Sequence, residues 1–215
     1  MIWGALVVDA AALGVHWYYD QEDLNAIFPE GIEGFETPAS DHYHKGKQSG
    51  DFTMYGDALS LLIEVSAREE GHSMPAFGKA FMSTITPGHY AGYIDHATKE
   101  SFEIYEAFKA KNPDAAFDYQ QGSDDNQMAG VTSLMPIVVL FAEDADFYRH
   151  IEAFVKIRQN NHEVIAYSQV QAGVLRALLA GLNPEKAIHC SGAERSSDLP
   201  INARGHCRSD QGCGG

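Results

Sequence analysis

Cysteine is missing from the first 189 residues, and Cys190, Cys207 and Cys213 crowd into the end of the chain. An odd number without paired CxxC spacing builds neither a disulfide framework nor a convincing zinc site. The body of the chain therefore offers no thiol for nucleophilic catalysis. No run of 18 apolar residues occurs, so the sequence contains no membrane-spanning helix pattern. Basic residues are scarce: 15 lysines and arginines stand against 30 aspartates and glutamates, for a net charge of −15. Phosphate groups would be repelled, which argues against nucleic acid and anionic membrane surfaces as partners. The GxSxG, Walker A, GxGxxG and HExxH patterns are all missing. Neither Asn-Gly nor Asp-Gly separates alternating runs, so the strongest hairpin signal is lacking too.

What remains is a chain of 215 residues, 45% of them hydrophobic, enough for one substantial core and one domain. Its start, "MIWGALVVDAAALGVHW", has no positive segment ahead of the apolar one. It reads as a core helix buried on most sides rather than a signal peptide, which makes the expected location cytoplasmic. Leu24, Ile27 and Phe28 keep helical spacing, and residues 29–50 form a long polar loop of the kind that is functional or disordered. A helix is expected from Asp57 to about Glu70, with Leu59, Leu62, Ile63 and Ser66 on one face and Gly71 as its stop. Residues 75–87 give a short helix ending before Pro87. Asp95 caps the next, whose Phe102, Tyr105 and Phe108 make a core stripe closed by "KNP".

Met128 to Phe141 reads as a helix kinked at Pro136. Phe147, Ile151, Phe154 and Val155 fit i, i+4, i+7, i+8, and a last helix from Glu163 to Leu179 carries Tyr167, Val170, Val174, Leu175 and Leu178. The fold class is all-α, in one domain over residues 1–189. Residues 190–215 hold three acids and three bases and no apolar rhythm, so they are expected to be a disordered or foreign tail.

Three acidic stretches stand at element boundaries. They are "VVDAAALGVHWYYD" with Asp9 and His16, "TMYGDALSLL" with Asp57, and "QGSDDNQMAG" with Asp124 and Asp125. Adjacent carboxylates repel, and that cost falls if they cap a helix or share a cation. Capping and metal binding both remain open for Asp57 and for the Asp124–Asp125 pair. Hard cations such as Mg²⁺ take carboxylate oxygens and waters, usually through one or two carboxylates each. His42 and His44 read as a solvated loop rather than a zinc pair, and His16, beside Trp17, as a core or ligand-contacting histidine.

Residues 4–20, "GALVVDAAALGVHWYYD", together with "TMYGDALSLLIEVSA", "GYIDHATKE", "SDDNQMAGVTSLMPIVVLF" and "IRQNNHEVIAYSQVQAGVLRALLAG", resemble, in order, five stretches of the ADP-ribosylglycohydrolase family. The similarity is to the branch that includes the J-type crystallins, and it covers about residues 2–185. The resemblance implies an orthogonal all-α bundle with two Mg²⁺ ions in a central cleft. The implied activity is hydrolysis of the glycosidic bond joining ADP-ribose to a protein side chain or a small acceptor. It also implies Asp57 as catalytic metal ligand, Asp124 and Asp125 as further metal ligands, and His16, Asn126 and Met128 as substrate contacts. Its alternative is a non-catalytic, crystallin-like structural or ligand-binding protein. Typical members read Thr-Asp-Asp-Thr where this chain has Tyr55-Gly56-Asp57-Ala58. Their C-terminal Asp-x-Asp-Thr element has no counterpart, so the resemblance is to a C-terminally incomplete member.

Overall fold

The computed structural model describes residues 1–68 and 73–194, with side chains described as far as Ser191. In chain order its helices are α1 (Ile2–Ala12), α2 (Gln21–Ile27), α3 (Met54–Ser66), α4 (Met74–Thr84) and α5 (His96–Lys111). A 3₁₀ helix at Met128–Ser133 follows, then α6 (Met135–Phe141), α7 (Phe147–Lys156), α8 (His162–Leu179) and α9 (Pro184–Glu194). Helices start where an oxygen-bearing side chain can accept from the first free amides. Asp20, Thr53, Ser73, Asp95 and Asn161 do this for α2, α3, α4, α5 and α8. Among the described residues the one extended pairing is an isolated bridge between Ser123 and Gln159. The fold is all-α.

α3 lies at the centre, packed on α1, α4, the 3₁₀ helix and α6. Its Ala58, Leu62 and Val65 join Phe77 and Phe81 of α4, Ile137 and Val138 of α6, and the inner face of α7 in one core. That face of α7 is Phe147, Ile151, Phe154 and Val155, all buried at the expected spacing. The rings of Phe77 and Phe154 stack with centroids 5.4 Å apart. Burial of each such ring stabilises the fold by roughly 1.5–3 kcal/mol. Phe102 is buried, and Tyr105 and Phe108 pack beside it, so the aromatic stripe of α5 belongs to the core.

Several expectations change. α1 is not buried on most sides: Leu6 and Ala10 are buried, but Trp3 is 80% exposed, and Val7 and Val8 are exposed as well. It packs mainly on α3, which covers one side of it. α3 begins at Met54, before the expected Asp57, because the Thr53 hydroxyl accepts from the Tyr55 amide and does the capping. The expected stop, Gly71, lies outside the described residues. On α8 the expected stripe of Tyr167, Val170 and Val174 does not form the inner face. Val164, Ser168, Ala172 and Gly173 are buried instead, small residues that admit α7 and α9 closely. The Met128–Phe141 run divides into the 3₁₀ helix and α6, with Pro136 in the first turn of α6, where its missing N–H has no partner to lose. α9 carries regular helix past Cys190 to Glu194, inside the segment expected as a tail; residues 195–215 lie outside the described residues.

Candidate functional site

The head of α3 gathers the most chemistry. Asp9 reaches it from α1: Thr53 donates its amide to Oδ2 at 2.8 Å and its hydroxyl to Oδ1 at 2.6 Å, and the Gly56 amide also donates to this carboxylate. Burial raises the Asp9 pKa, and the Asp57 charge adds to it, while the Thr53 and Gly56 bonds pull the other way. Gly56 is required here. A Cβ at that position would lie 2.2 Å from Asp9 Oδ2 and 2.8 Å from Phe52 Cβ. Asp57, in the first turn, is free of capping duty. Its Oδ2 accepts the Lys47 ammonium at 2.7 Å and a short hydrogen bond from the Tyr90 hydroxyl. Burial, then the bond to Asp57, raises the Tyr90 pKa, so this phenol stays a donor.

Asp124 and Asp125 serve other partners. Asn161 donates to both the backbone and side-chain oxygens of Asp124 at 3.0 Å. His96 Nδ1 lies 2.8 Å from Asp125 Oδ2, and the Gln127 amide donates to Oδ1 at 2.7 Å. Neither acid caps the following apolar helix. Asn126 and Met128 lie together on an open groove of about 520 Å³ beside α8, lined also by Glu163, Tyr167, Val170 and Gln171. This explains the outward face of α8.

His16, the third expected substrate contact, belongs to a different cluster. Its Nδ1 lies 3.1 Å from His44 Nε2, and its ring stacks on Trp17 at 4.1 Å. His42 Nε2 lies 2.7 Å from the His16 carbonyl, and the His44 amide donates to His42 Nδ1 at 3.2 Å. The Nε2 nitrogen of His42 therefore carries the hydrogen. His42 and His44 are buried, at 6% and 1% exposure, which corrects the expectation of a solvated loop. The Trp17 ring stacks on His44, Tyr43 lies edge-on to His42, and Tyr93 packs against Trp17.

Burial, then the neighbouring His16, lowers the His44 pKa to about 4; burial, then His42, also lowers that of His16. The folded state thus binds fewer protons than the unfolded chain between pH 6.5 and about 4. Stability rises with pH in that window and is lost as pH falls through it. Asp9, with its raised pKa, contributes a slope of opposite sign near its own range. After discounting for solvent screening, the loss from pH 7.5 to 4.5 is expected to be about 2 kcal/mol in urea unfolding. His44→Gln should flatten the profile. Equal stability at both pH values would contradict this geometry.

Three residues that carry the site were not legible as such. Lys47 sits in the polar loop, and nothing in its spacing points to Asp57. Tyr90 follows a proline-glycine turn. Arg158 ends the run "AFVKIR" two residues after Lys156, and nothing in the sequence marks it as the cation that is buried. It is 2% exposed, with Nη2 3.0 Å from Asp95 Oδ2, Nη1 donating to the Ala129 carbonyl at 3.0 Å and the guanidinium over the Tyr55 ring at 5.6 Å. The Tyr55 hydroxyl bonds Asp95 in turn.

Mg²⁺ requires oxygens converging in near-octahedral geometry. Around α3, Asp57 Oδ2 already holds an ammonium and a phenol, and both Asp9 oxygens accept from Thr53. Among the described residues no three His, Cys, Asp or Glu side chains come together as a metal site. Among the described residues the donor set does not fit a pair of dications.

The chain is 23% identical over 190 residues to crystallin J1A of Tripedalia cystophora, covering 85% of this chain and 58% of that one. The chain is similar to crystallins. Crystallin J1B of the same organism is 22% identical over 194 residues, with the same coverage. This chain thus spans 58% of the length of these relatives. No protein-family model matches it, and no solved structure matches it. Among the described residues no helix is long and apolar enough to cross a membrane.

Proposed function

We propose that this chain is a non-catalytic, crystallin-like member of the ADP-ribosylglycohydrolase fold, with a structural or ligand-binding role. One observation carries the reading: each expected metal ligand, Asp57, Asp124 and Asp125, and the neighbouring Asp9 as well, has a partner within the chain. Asp9 closes the amides of α3, Asp57 holds Lys47 and Tyr90, Asp124 holds Asn161, and Asp125 holds His96 and Gln127. Such acids rigidify a fold, but they are not free to orient a ribose or activate a water. The likeness to two crystallins supports the same role. A net charge of −15 fits it as well, because like-charged copies repel and stay dispersed at high concentration.

A second reading is kept by one feature, the groove that brings Asn126 and Met128 together. In that reading the protein is an Mg²⁺-dependent hydrolase acting on ADP-ribosylated proteins or small ADP-ribose conjugates. Incubation with ADP-ribosyl-arginine and with an O-linked ADP-ribose conjugate, each with Mg²⁺, decides between the two. We expect release of ADP-ribose at the no-protein background. Turnover that disappears in Asp57→Asn would establish the hydrolase instead.

A further inference from the structure

We propose that Lys47 is a resident cation, whose ammonium occupies the cation position at Asp57 and closes it to divalent metals. This rests on the non-catalytic reading and extends it to a specific residue. The ammonium is built into place from several directions. Its Nζ lies 2.7 Å from Asp57 Oδ2 and 4.8 Å from the centroid of the Tyr90 ring. Tyr90 completes the same oxygen with its hydroxyl, so the phenol serves as floor and as co-ligand at once. The Lys47 side chain is only 11% exposed and that of Asp57 28%.

The position is also cleared for the lysine stem. Gly92 sits at φ 105°, and a Cβ there would lie 3.0 Å from Lys47 Cε and 3.4 Å from Cγ. The glycine therefore does two things, allowing a left-handed backbone and leaving the channel through which Lys47 reaches Asp57. The second carboxylate of the region, Asp9, points both oxygens at Thr53.

A dication could take Asp57 Oδ2 only by expelling the ammonium and breaking the Tyr90 bond, and drawing in the second carboxylate would turn Asp9 from the head of α3. One carboxylate would then have to replace these contacts for an ion that tolerates incomplete octahedra poorly. The single positive charge of Lys47 balances Asp57 with no ion drawn from solution, and it pins the 29–50 loop onto α3.

Mn²⁺ followed by electron paramagnetic resonance is the probe, because free and bound ion are distinguished without any turnover. Wild type should leave the free-ion spectrum unchanged into the millimolar range. Lys47→Met, which keeps the apolar stem and removes the charge, should bind Mn²⁺ at least about tenfold more tightly than wild type. Adding Asp57→Asn to it should abolish that gain. Lys47→Gln serves in the same titration if the methionine variant loses its helical circular-dichroism spectrum.

Wild-type binding that Asp57→Asn removes would overturn the proposal, and that titration needs no lysine variant. Charge-removed variants that bind no better than wild type would overturn it equally. Hydrolysis of an ADP-ribose conjugate without Mn²⁺ binding would overturn the non-catalytic reading and leave the role of Lys47 standing. The two failures are therefore distinct.

Discussion

Arg158→Ala is expected to lose about 3–5 kcal/mol of stability, enough to leave most small domains largely unfolded at 37 °C. Arg158 and Asp95 are each 2% exposed, and the guanidinium also reaches the Ala129 carbonyl. Alanine would leave the Asp95 carboxylate buried with no opposite charge. It would also strip a hydrogen-bond donor from the 3₁₀ helix and leave a void under Tyr55 and Phe81, whose rings the guanidinium covers. A buried ion pair is not by itself a stabilising device, since desolvation offsets much of the attraction. Removing one partner is costly because the other remains. Urea unfolding followed by far-ultraviolet circular dichroism measures this directly. A loss below about 1 kcal/mol, the range of exposed ion pairs, would mean that Arg158 is solvated in solution.

Gly122→Ala should cost about 3 kcal/mol, the upper end for forcing an extra methyl into a packed site. A Cβ there would lie 2.5 Å from the Arg158 carbonyl carbon and the Gln159 nitrogen, and 2.6 Å from the Lys156 oxygen. All three are backbone atoms, so no rotamer change makes room. The Gly122 amide donates to Lys156 O at 2.9 Å and Ser123 to Arg158 O at 3.1 Å, and Asn160 returns a bond to Ser123 at 2.8 Å. Displacing this short ladder would pull the end of α7 from the segment carrying Asp124 and Asp125, and with it the Arg158 anchor. Thermal unfolding of the variant checks it. An unchanged midpoint would show that the ladder does not persist in solution.

Much of the fold could be read from the residues, because helix periodicity and caps are local. The α7 face at Phe147, Ile151, Phe154 and Val155 and the Asp95 cap depend on neighbours within two turns of chain. The errors arose where tertiary packing chose between faces. α8 has apolar residues on more than one side, and the small Ala172 and Gly173 went inward while Tyr167 stayed at the groove. Apart from Asp9, α1 is apolar throughout, a pattern that does not say which side a single neighbour covers.

The site was legible in its acids and not in their partners. Asp57 stood out because it follows Gly56 ahead of an apolar run, and the same pattern suits a cap, a ligand or an ion pair. Lys47 and Tyr90 approach it from segments ten residues before and 33 after, distances at which no periodicity operates. His42 and His44 looked solvated because their segment is polar, yet ring stacking with Trp17 and Tyr18 buries them.

The claim that the acid at the head of α3 is held by the chain itself is tested most directly by a double-mutant cycle on Lys47 and Asp57. The wild type, Lys47→Met, Asp57→Asn and the double variant would be unfolded in urea, with chelator and again with Mg²⁺. A coupling energy of about 1–2 kcal/mol is expected, the range of a charge-assisted hydrogen bond that is partly shielded from water. It should be the same in both conditions. A coupling near zero, or wild-type stability that rises with Mg²⁺ only while Asp57 is present, would contradict it.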